Sequence, residues 1–202
     1  MAPRETYFGL KPVYLIMQRR RITFVTTNAG KLREAKKLFE DDFDVEQVDM
    51  AYPELQDNDL SKIAAYGAKY CAEQLRQEVI VEDSGLFVDA LGGFPGPYSS
   101  YVQKTIGNKG VLKLMEGMEN RRCEFRSVVG FCEPGGEPMT FTGIWWGEIR
   151  TDEQGANGFG YDPIFYYRKF PVGEMTVEQK NEVSHRRRSL IQFRDWYLAK
   201  VK

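Results

Sequence analysis

Along this chain, segments whose apolar residues have the spacing of a β-strand alternate with segments whose apolar residues have the spacing of an α-helix. Residues 59–76 give the clearest helix, because their apolar positions recur every three to four residues and form one stripe. Runs rich in β-branched residues alternate with helical stretches in the first half of the chain, which indicates an α/β protein. The predicted elements of this half are a strand at 21–27, a helix beginning near Lys31, a strand at 43–48, the helix at 59–76 and a buried strand at 79–81.

The second half of the chain is predicted to contain short helices, a long hairpin and a terminal helix. Its predicted elements are an apolar run at 86–91, a Gly/Pro loop at 92–97, helices near 98–106 and 108–117, hairpin strands at 125–132 and 138–149, a glycine-rich loop at 155–163 and a final helix capped by Ser184. No repeat or linker-like stretch divides the chain. We therefore expect a single domain at 21–202, in which the hairpin region at 122–150 forms a second lobe.

Residues 1–20 are predicted to be a poorly ordered extension, with Met17 as an alternative natural start. The apolar run at 13–17 is far shorter than a membrane span, and no small-residue cleavage site accompanies it. The 3 cysteines form no CxxC pair, so they indicate neither a zinc site nor a disulfide framework. These features favour a cytoplasmic protein with no membrane partner.

The charge balance disfavours one class of function, and the histidine content excludes one kind of metal site. The net charge is −1, from 28 Lys and Arg against 29 Asp and Glu, whereas non-specific nucleic-acid binders carry a basic excess. The single histidine, His185, excludes a multi-histidine metal site. Any metal would be held mainly by carboxylates, which favours Mg²⁺ or a similar hard cation.

A junction between a predicted strand and a predicted helix lies at Thr26, Thr27, Asn28, Ala29, Gly30 and Lys31. Free backbone N–H groups at a helix start attract anions, Gly30 would let a phosphate approach the backbone, and Lys31 adds a cation. The GxxxxGK[ST] pattern of a P-loop is absent. On these residues alone, a phosphate cradle and an ordinary turn with an Asn28 cap both remain open.

Two adjacent acids, Glu82 and Asp83, follow the buried strand and precede Ser84 and Gly85. Acids are rarely buried without a partner or a metal, and adjacent strand residues point to opposite faces. We therefore expect a turn at 82–85 that presents one carboxylate to a cleft. A hydrophilic turn with a capping aspartate is the alternative.

Two further residues extend this hypothesis. Glu54, before the long helix, is a candidate second oxygen ligand for a metal held by Asp83, although a surface glutamate explains it as well. Lys69, on the long helix, is a candidate cation in the cleft, although a solvated lysine is common on such a helix.

The loop at 158–163 places two aromatic residues between glycines and an acid before a proline. Such a loop suits a flat base, because Phe159 or Tyr161 can stack and Asp162 can accept an N–H. A loop packed by its own aromatic residues is the alternative.

A basic run, Ser184-His185-Arg186-Arg187-Arg188, begins the final helix and follows Lys180. It suits either a polyanion or a solvated helix face, and we assign Arg187 and Arg188 to the solvated face. A Ser–His dyad is disfavoured, because adjacent residues at a helix start rarely bond as nucleophile and base.

Taken together, these segments resemble the inosine triphosphate pyrophosphatase family, and their motif sequences are most similar to those of archaeal members. The resemblance runs from about Arg21 to the last helix. It is carried by TTNAGK at 26–31, PELQ at 53–56, EDSGL at 82–86, GGFPGPYSSY at 92–101, GFGYDP at 158–163, Lys180 and SHR at 184–186. Many members spell the acidic pair Asp-Asp, so Glu82 leaves the role of the first acid unassigned.

The resemblance implies both a fold and an activity. The fold is α/β, a long mixed β-sheet whose flanking helices form two lobes around a central cleft, commonly in a homodimer. The activity is hydrolysis of noncanonical purine nucleoside triphosphates (ITP, dITP and XTP) to the monophosphate and pyrophosphate, with Mg²⁺ or alternatively Mn²⁺. This reaction would cleanse the nucleotide pool.

The resemblance also implies roles for the matching residues. Glu54 and Asp83 would hold the metal, and Asp83 would accept the proton of the attacking water. The substrate-binding residues would be Thr26, Thr27, Asn28, Ala29, Gly30, Lys31, Lys69, Ser84, Phe159, Gly160, Tyr161, Asp162, Lys180, His185 and Arg186.

Two expectations follow for the chemistry. With an ordinary carboxylate pKa, Asp83 would be a weak base, so metal-acidified water would do much of the work and the pH optimum would be alkaline. Donors near His185 and Arg186 would select a 6-keto base over an adenine amino group. The alternatives are a related pyrophosphatase for modified pyrimidine or methylated nucleotides, and a noncatalytic nucleotide- or RNA-binding protein.

Overall fold

The structure, a computed structural model, describes residues 19–201. Most of the expected extension at 1–20 lies outside the described residues, and Arg20 already belongs to the first strand. The strands are β1 (Arg20–Val25), β2 (Phe43–Val48), β3 (Val79–Val88), β4 (Pro95–Gly96), β5 (Arg122–Cys132), β6 (Met139–Ile149), β7 (Phe165–Tyr167) and β8 (Phe170–Pro171). The helices are α1 (Ala29–Leu38), α2 (Leu60–Leu75), α3 (Ser99–Thr105), α4 (Gly107–Leu114), α5 (Val177–Val183) and α6 (His185–Lys200).

The strands form one 8-stranded mixed sheet in the order β2-β1-β3-β5-β6-β7-β8, with β4 paired to β3. β1 runs parallel to both β2 and β3, and the other ladders are antiparallel. The predicted mixed α/β sheet is thereby confirmed. The long helices and the hairpin begin and end within a few residues of their predicted positions, whereas α5, β4, β7 and β8 were not predicted, because such short elements leave little periodicity.

β3 continues through residues 82–85, where the sequence predicted a turn. β5 pairs with β3 along its whole length, from Val79 opposite Cys132 to Val88 opposite Cys123. This ladder outweighs the weak strand preference of Asp, Ser and Gly. The predicted turn is therefore wrong, and the apolar run at 86–91 divides into the end of β3 and one 3-10 turn at Asp89–Leu91.

Alternate side chains of β3 enter different cores. Ile80 packs with residues of α1 and α6 on one face of the sheet, whereas Val79 and Val81 pack with α2 on the other. Since side chains alternate along a strand, Glu82 lies on the α6 face and Asp83 on the α2 face. The expectation that the two acids point to opposite sides is thereby confirmed.

A third core lies at the far end of β3 and defines a second lobe. It joins Leu86 and Val88 to residues of α3, α4, the β5–β6 hairpin and the loop at 158–163. Only part of the β5–β6 hairpin belongs to it, because the rest of the hairpin packs in the first two cores, so residues 122–150 do not form this lobe on their own as expected. β3 therefore links the two lobes, and its middle residues lie where they meet. Within residues 19–201, none of the helices has the length and apolar character needed to cross a bilayer.

Candidate active site

A cavity of about 290 Å³ lies where the two lobes meet. It is lined by many of the predicted substrate-binding residues: Asn28, Lys31, Ser84, Phe159, Gly160, Tyr161, Asp162, Lys180, His185 and Arg186. Gly85, Leu86, Ser99 and Ser100 also line it and belong to motifs that carried the resemblance, whereas the sequence had not indicated Gln103, Lys104 and Phe125. Residues from both halves of the chain thus form one concave site.

The loop at 158–163 is held in shape by its own acid. Asp162 Oδ2 accepts hydrogen bonds from Phe159 N at 2.8 Å and from Lys180 Nζ at 2.7 Å. The Lys180 ammonium also lies 4.3 Å from the centroid of the Phe159 ring, which is 40% exposed. Tyr161 is instead a core residue whose hydroxyl donates to Ser99 O, so Phe159 is the aromatic face available for stacking.

His185 forms another wall of the cavity as a neutral ring. It stacks on Phe125 with centroids 4.8 Å apart and on Trp145 with centroids 6.2 Å apart. Burial, together with the nearby Arg186 guanidinium, holds the pKa of His185 well below its usual range. Its Nδ1 is buried with no hydrogen-bond partner among the described residues. A neutral imidazole of this kind can face a base without introducing a charge.

A buried network of alternating charges runs between the junction of β1 with α1 and the loop at 158–163. Arg186 pairs with Glu82 at 3.2 Å and with Glu34 at 2.5 Å. Glu34 also lies 3.7 Å from Lys180, which in turn binds Asp162. Glu34 was not predicted, because on the sequence it is one acid on the polar side of α1 and its partners lie about 150 residues away.

Lys31 extends this network to the junction between β1 and α1. Its Nζ donates to Glu82 O at 2.6 Å and lies 2.8 Å from Glu82 Oε2. Burial alone would raise the pKa of Glu82, but Arg186 and Lys31 hold it well below its usual range. These contacts give Glu82 a structural role: its carboxylate holds Lys31 and Arg186 on the α6 face of β3, and Ser127 Oγ donates to it at 2.6 Å.

The junction itself differs in one respect from the expectation. Asn28 is the N-cap, and its Oδ1 accepts from Gly30 N at 2.9 Å and Lys31 N at 3.1 Å, so these amides are not free for a phosphate. α1 accordingly begins at Ala29 rather than near Lys31. The lack of a side chain at Gly30 also leaves room for the Phe159 ring, because a Cβ there would lie 3.2 Å from that ring.

Asp83 lies on the opposite face of β3, near Glu54 and Tyr52. Burial, together with the carboxylates of Glu82 and Glu54, raises the pKa of Asp83 to about 6, although Lys31 acts in the other direction. The assumption of an ordinary carboxylate pKa is therefore wrong, and Asp83 is a stronger base than the sequence suggested. Burial and the Asp83 carboxylate also raise the pKa of Tyr52, so its phenol stays protonated.

The residues around Asp83 fit a hard cation. Asp83 Oδ2 is buried with no hydrogen-bond partner among residues 19–201, and Glu54 is exposed beside it. Within the same residues, no group of three or more His, Cys, Asp or Glu could hold a metal by itself. Mg²⁺ is commonly held by one or two carboxylates together with waters and substrate phosphates, so two carboxylates suffice.

The remaining predicted residues lie at or beyond the edge of the cavity. Thr26 Oγ1 accepts from Asn28 N at 3.1 Å, and Thr27 and Ala29 are exposed beside it. Lys69 is exposed on α2 and forms an ion pair at 3.0 Å with Glu137, in the turn between β5 and β6. The structure therefore does not bring Lys69 to the cavity.

The fold and the site define a class of protein: an α/β protein whose cavity offers a stacking ring, fixed charges and, across β3, a carboxylate site for a cation. The Ham1 family model matches residues 22–196, and the chain belongs to this family. This confirms the resemblance drawn from the motifs.

Individual relatives agree with this assignment. A protein of Methanopyrus kandleri named dITP/XTP pyrophosphatase is 56% identical over 188 residues, which cover 90% of this chain and 98% of that protein. One of the same name from Methanosarcina acetivorans is 48% identical over 182 residues, covering 90% and 99%. Among solved structures, the Staphylococcus aureus Ham1 protein superposes with a TM-score of 0.79 at 30% identity, covering 90% of this chain and 100% of that one.

Proposed function

We propose that this protein hydrolyses noncanonical purine nucleoside triphosphates, with ITP, dITP and XTP as substrates, to the monophosphate and pyrophosphate. One observation carries the proposal: the buried ion network that begins at Lys31, beside Asp83, and ends at Asp162, beneath Phe159. The network lies between β3 and the base-binding loop, and Asp83 follows its member Glu82 on the other face of that strand. The names of the archaeal relatives support the same substrate class.

The base end of the cavity would recognise a 6-keto purine. The Phe159 ring would stack on the base. With Asp162 Oδ2 occupied by Lys180 and Phe159 N, its Oδ1 makes no hydrogen bond within residues 19–201 and can accept N1–H of hypoxanthine. Adenine lacks N1–H and carries an amino group at position 6, so a polar mismatch of about 1–3 kcal/mol per contact would select against ATP.

At the cation end, Asp83 and Glu54 would hold Mg²⁺. When bound there, Mg²⁺ would supply positive charge to the phosphate oxygens and acidify water. Asp83 would accept a proton from the water that attacks the α-phosphorus; burial makes its carboxylate more basic than an exposed one, whereas bound Mg²⁺ would lower its pKa again. Lys31 would add positive charge near the phosphates. Pyrophosphate would leave, and the monophosphate would stay on the base side until release.

This chemistry predicts that activity rises with pH. Asp83 must be ionised to accept a proton, and its pKa of about 6 in the metal-free enzyme means that the ionised form predominates there only above that pH, while Mg²⁺ bound to the carboxylate would shift the rise to lower pH. We expect kcat/KM to increase with this ionisation towards an alkaline maximum. A maximum near pH 5 would contradict the assignment of Asp83.

The decisive experiment measures pyrophosphate release from ITP, dITP, XTP, ATP, GTP and dUTP with Mg²⁺ or Mn²⁺. We expect turnover of the first three, loss of most activity in Asp83→Asn, and near-normal activity in Asp89→Asn, whose exposed acid follows the same strand. Preferred turnover of dUTP would instead support a pyrimidine-directed enzyme. Tight nucleotide or RNA binding without turnover would support a binding protein. The expected homodimer and cytoplasmic location stay predictions, and light scattering tests the former.

A further inference from the structure

The cavity has two chemically different walls. His185, Phe125 and Phe159 form the aromatic wall. The opposite wall comes from α3, where Ser100, Gln103 and Lys104 line the cavity at positions three and four residues apart, on one face of the helix. The aromatic wall suits a base, and the α3 wall suits the polar remainder of a nucleoside.

Gln103 is fixed on this wall by a hydrogen bond to the base-binding loop. Its Nε2 donates to Gly160 O at 3.1 Å, and Asn108 Nδ2 on α4 donates to the same oxygen at 3.1 Å. The carboxamide of Gln103 cannot turn without losing this bond. Its Oε1 is therefore held in place, and it is buried with no hydrogen-bond partner among the described residues.

A buried acceptor without a partner is costly, so a cavity-lining one is expected to gain a donor from a ligand. The inosine part of ITP, whose 5′ oxygen is esterified, offers three strong donors: N1–H and the 2′ and 3′ hydroxyls. In the proposed function Asp162 takes N1–H, which leaves the hydroxyls for the α3 wall. We propose that Gln103 Oε1 accepts a hydrogen bond from the 3′ hydroxyl of the bound nucleotide, the sugar hydroxyl that ITP and dITP share, and so selects against nucleotides that lack it. This inference rests on the proposed function.

Asn108 provides a matched control, because it makes the same bond to Gly160 but does not line the cavity. The experiment compares kcat/KM for ITP, dITP and 2′,3′-dideoxy-ITP in the wild type, Gln103→Leu and Asn108→Leu. Loss of one buried hydrogen bond corresponds to roughly a tenfold effect. We expect the wild type to disfavour the substrate that lacks the bonded hydroxyl by about tenfold, Gln103→Leu to lose this preference, and Asn108→Leu to keep it. The wild type should therefore treat ITP and dITP alike and disfavour 2′,3′-dideoxy-ITP, and a loss that already appears with dITP would contradict the assignment of the 3′ hydroxyl.

Two further measurements separate contact from positioning. Gln103→Glu keeps an acceptor but loses the donor that holds it on Gly160 O, so the preference should fall below that of the wild type and stay above that of Gln103→Leu. Calorimetric binding of the same nucleotides to Asp83→Asn in EDTA tests the contact without turnover, so it can support the contact even if the proposed reaction fails. The proposal would be overturned if Gln103→Leu and Asn108→Leu lost kcat/KM equally and both kept the preference for the bonded sugar hydroxyl. A wild type that does not discriminate among the three sugars would also overturn it.

Discussion

Glu82 has a fully buried carboxylate that receives Lys31, Arg186 and Ser127 from three distant segments of the chain. Removing one member of such a group leaves buried charges without compensation. We expect Glu82→Ala to lower the free energy of unfolding by about 3–5 kcal/mol, measured by urea denaturation. Glu46→Ala is the control, since Glu46 forms an exposed ion pair with Arg21 and its loss should cost at most about 1 kcal/mol. Equal costs for both variants would contradict this account of Glu82.

Asp83 has the opposite effect on stability. Its pKa is raised from 3.8 to about 6, so the folded state resists ionisation of this group. The protonated group costs nothing below the unfolded pKa, and the ionised group destabilises the fold increasingly as pH rises through the folded pKa. We expect Asp83→Asn to be more stable than the wild type at pH 8 without metal, by up to about 3 kcal/mol. The advantage should shrink towards pH 4. Unfolding curves at both pH values in EDTA test this, and a variant no more stable at pH 8 would contradict it.

These two neighbours show how far single residues could be interpreted from the sequence. Because Glu82 and Asp83 are adjacent on a strand, the sequence correctly predicted that the two acids face opposite sides of the sheet. Their environments could not be predicted, because the cations around Glu82 and the burial of Asp83 come from segments brought together only by the fold. For the same reason Glu34 and Gln103 were missed, and Lys69 was assigned to a cavity that it does not reach.

At the scale of elements, α6 reaches the site because it lies directly on β6. A Cβ at Gly143 would lie 2.1 Å from His185 O and 2.6 Å from Ser189 N, so only glycine allows this contact. We expect Gly143→Ala to displace the start of α6, to cost on the order of 1–3 kcal/mol, and to weaken nucleotide binding. Thermal unfolding and calorimetry measure the two effects. Thr142→Ala, exposed on the neighbouring position, should change stability by less than about 0.5 kcal/mol.

Helices and paired strands with strong periodicity were predicted well, as α2, α6 and the β5–β6 hairpin show. The failure at residues 82–85 has a physical reason. Asp, Ser and Gly favour a turn in isolation, but β5 pairs with β3 at every position from Val79 to Val88. Local preference cannot reveal a partner strand that lies forty residues away.

At the scale of the whole molecule, β3 separates the two parts of the proposed site. In the proposed function the nucleoside would bind on the α6 face, near Asp162 and Arg186, whereas the cation would bind on the α2 face, at Asp83 and Glu54. The salt-bridge network on the α6 face does not include the carboxylate of Asp83. Binding of the nucleoside and binding of the metal are therefore expected to be separable by substitution.

Thermal shift measurements with IMP test this separation, because IMP is the expected product and is not turned over. A ligand at 100 times its Kd stabilises by about 2.7 kcal/mol, which for a chain of this size raises Tm by roughly 5–10 °C. We expect IMP in EDTA to stabilise the wild type and Asp83→Asn alike, and to stabilise Asp162→Asn much less, because that variant loses the fixed acceptor for N1–H. Addition of Mg²⁺ and pyrophosphate should raise Tm further in the wild type and in Asp162→Asn, but not in Asp83→Asn. If Asp83→Asn lost the IMP shift as well, the two ends would be coupled and the division of the cleft by β3 would be wrong.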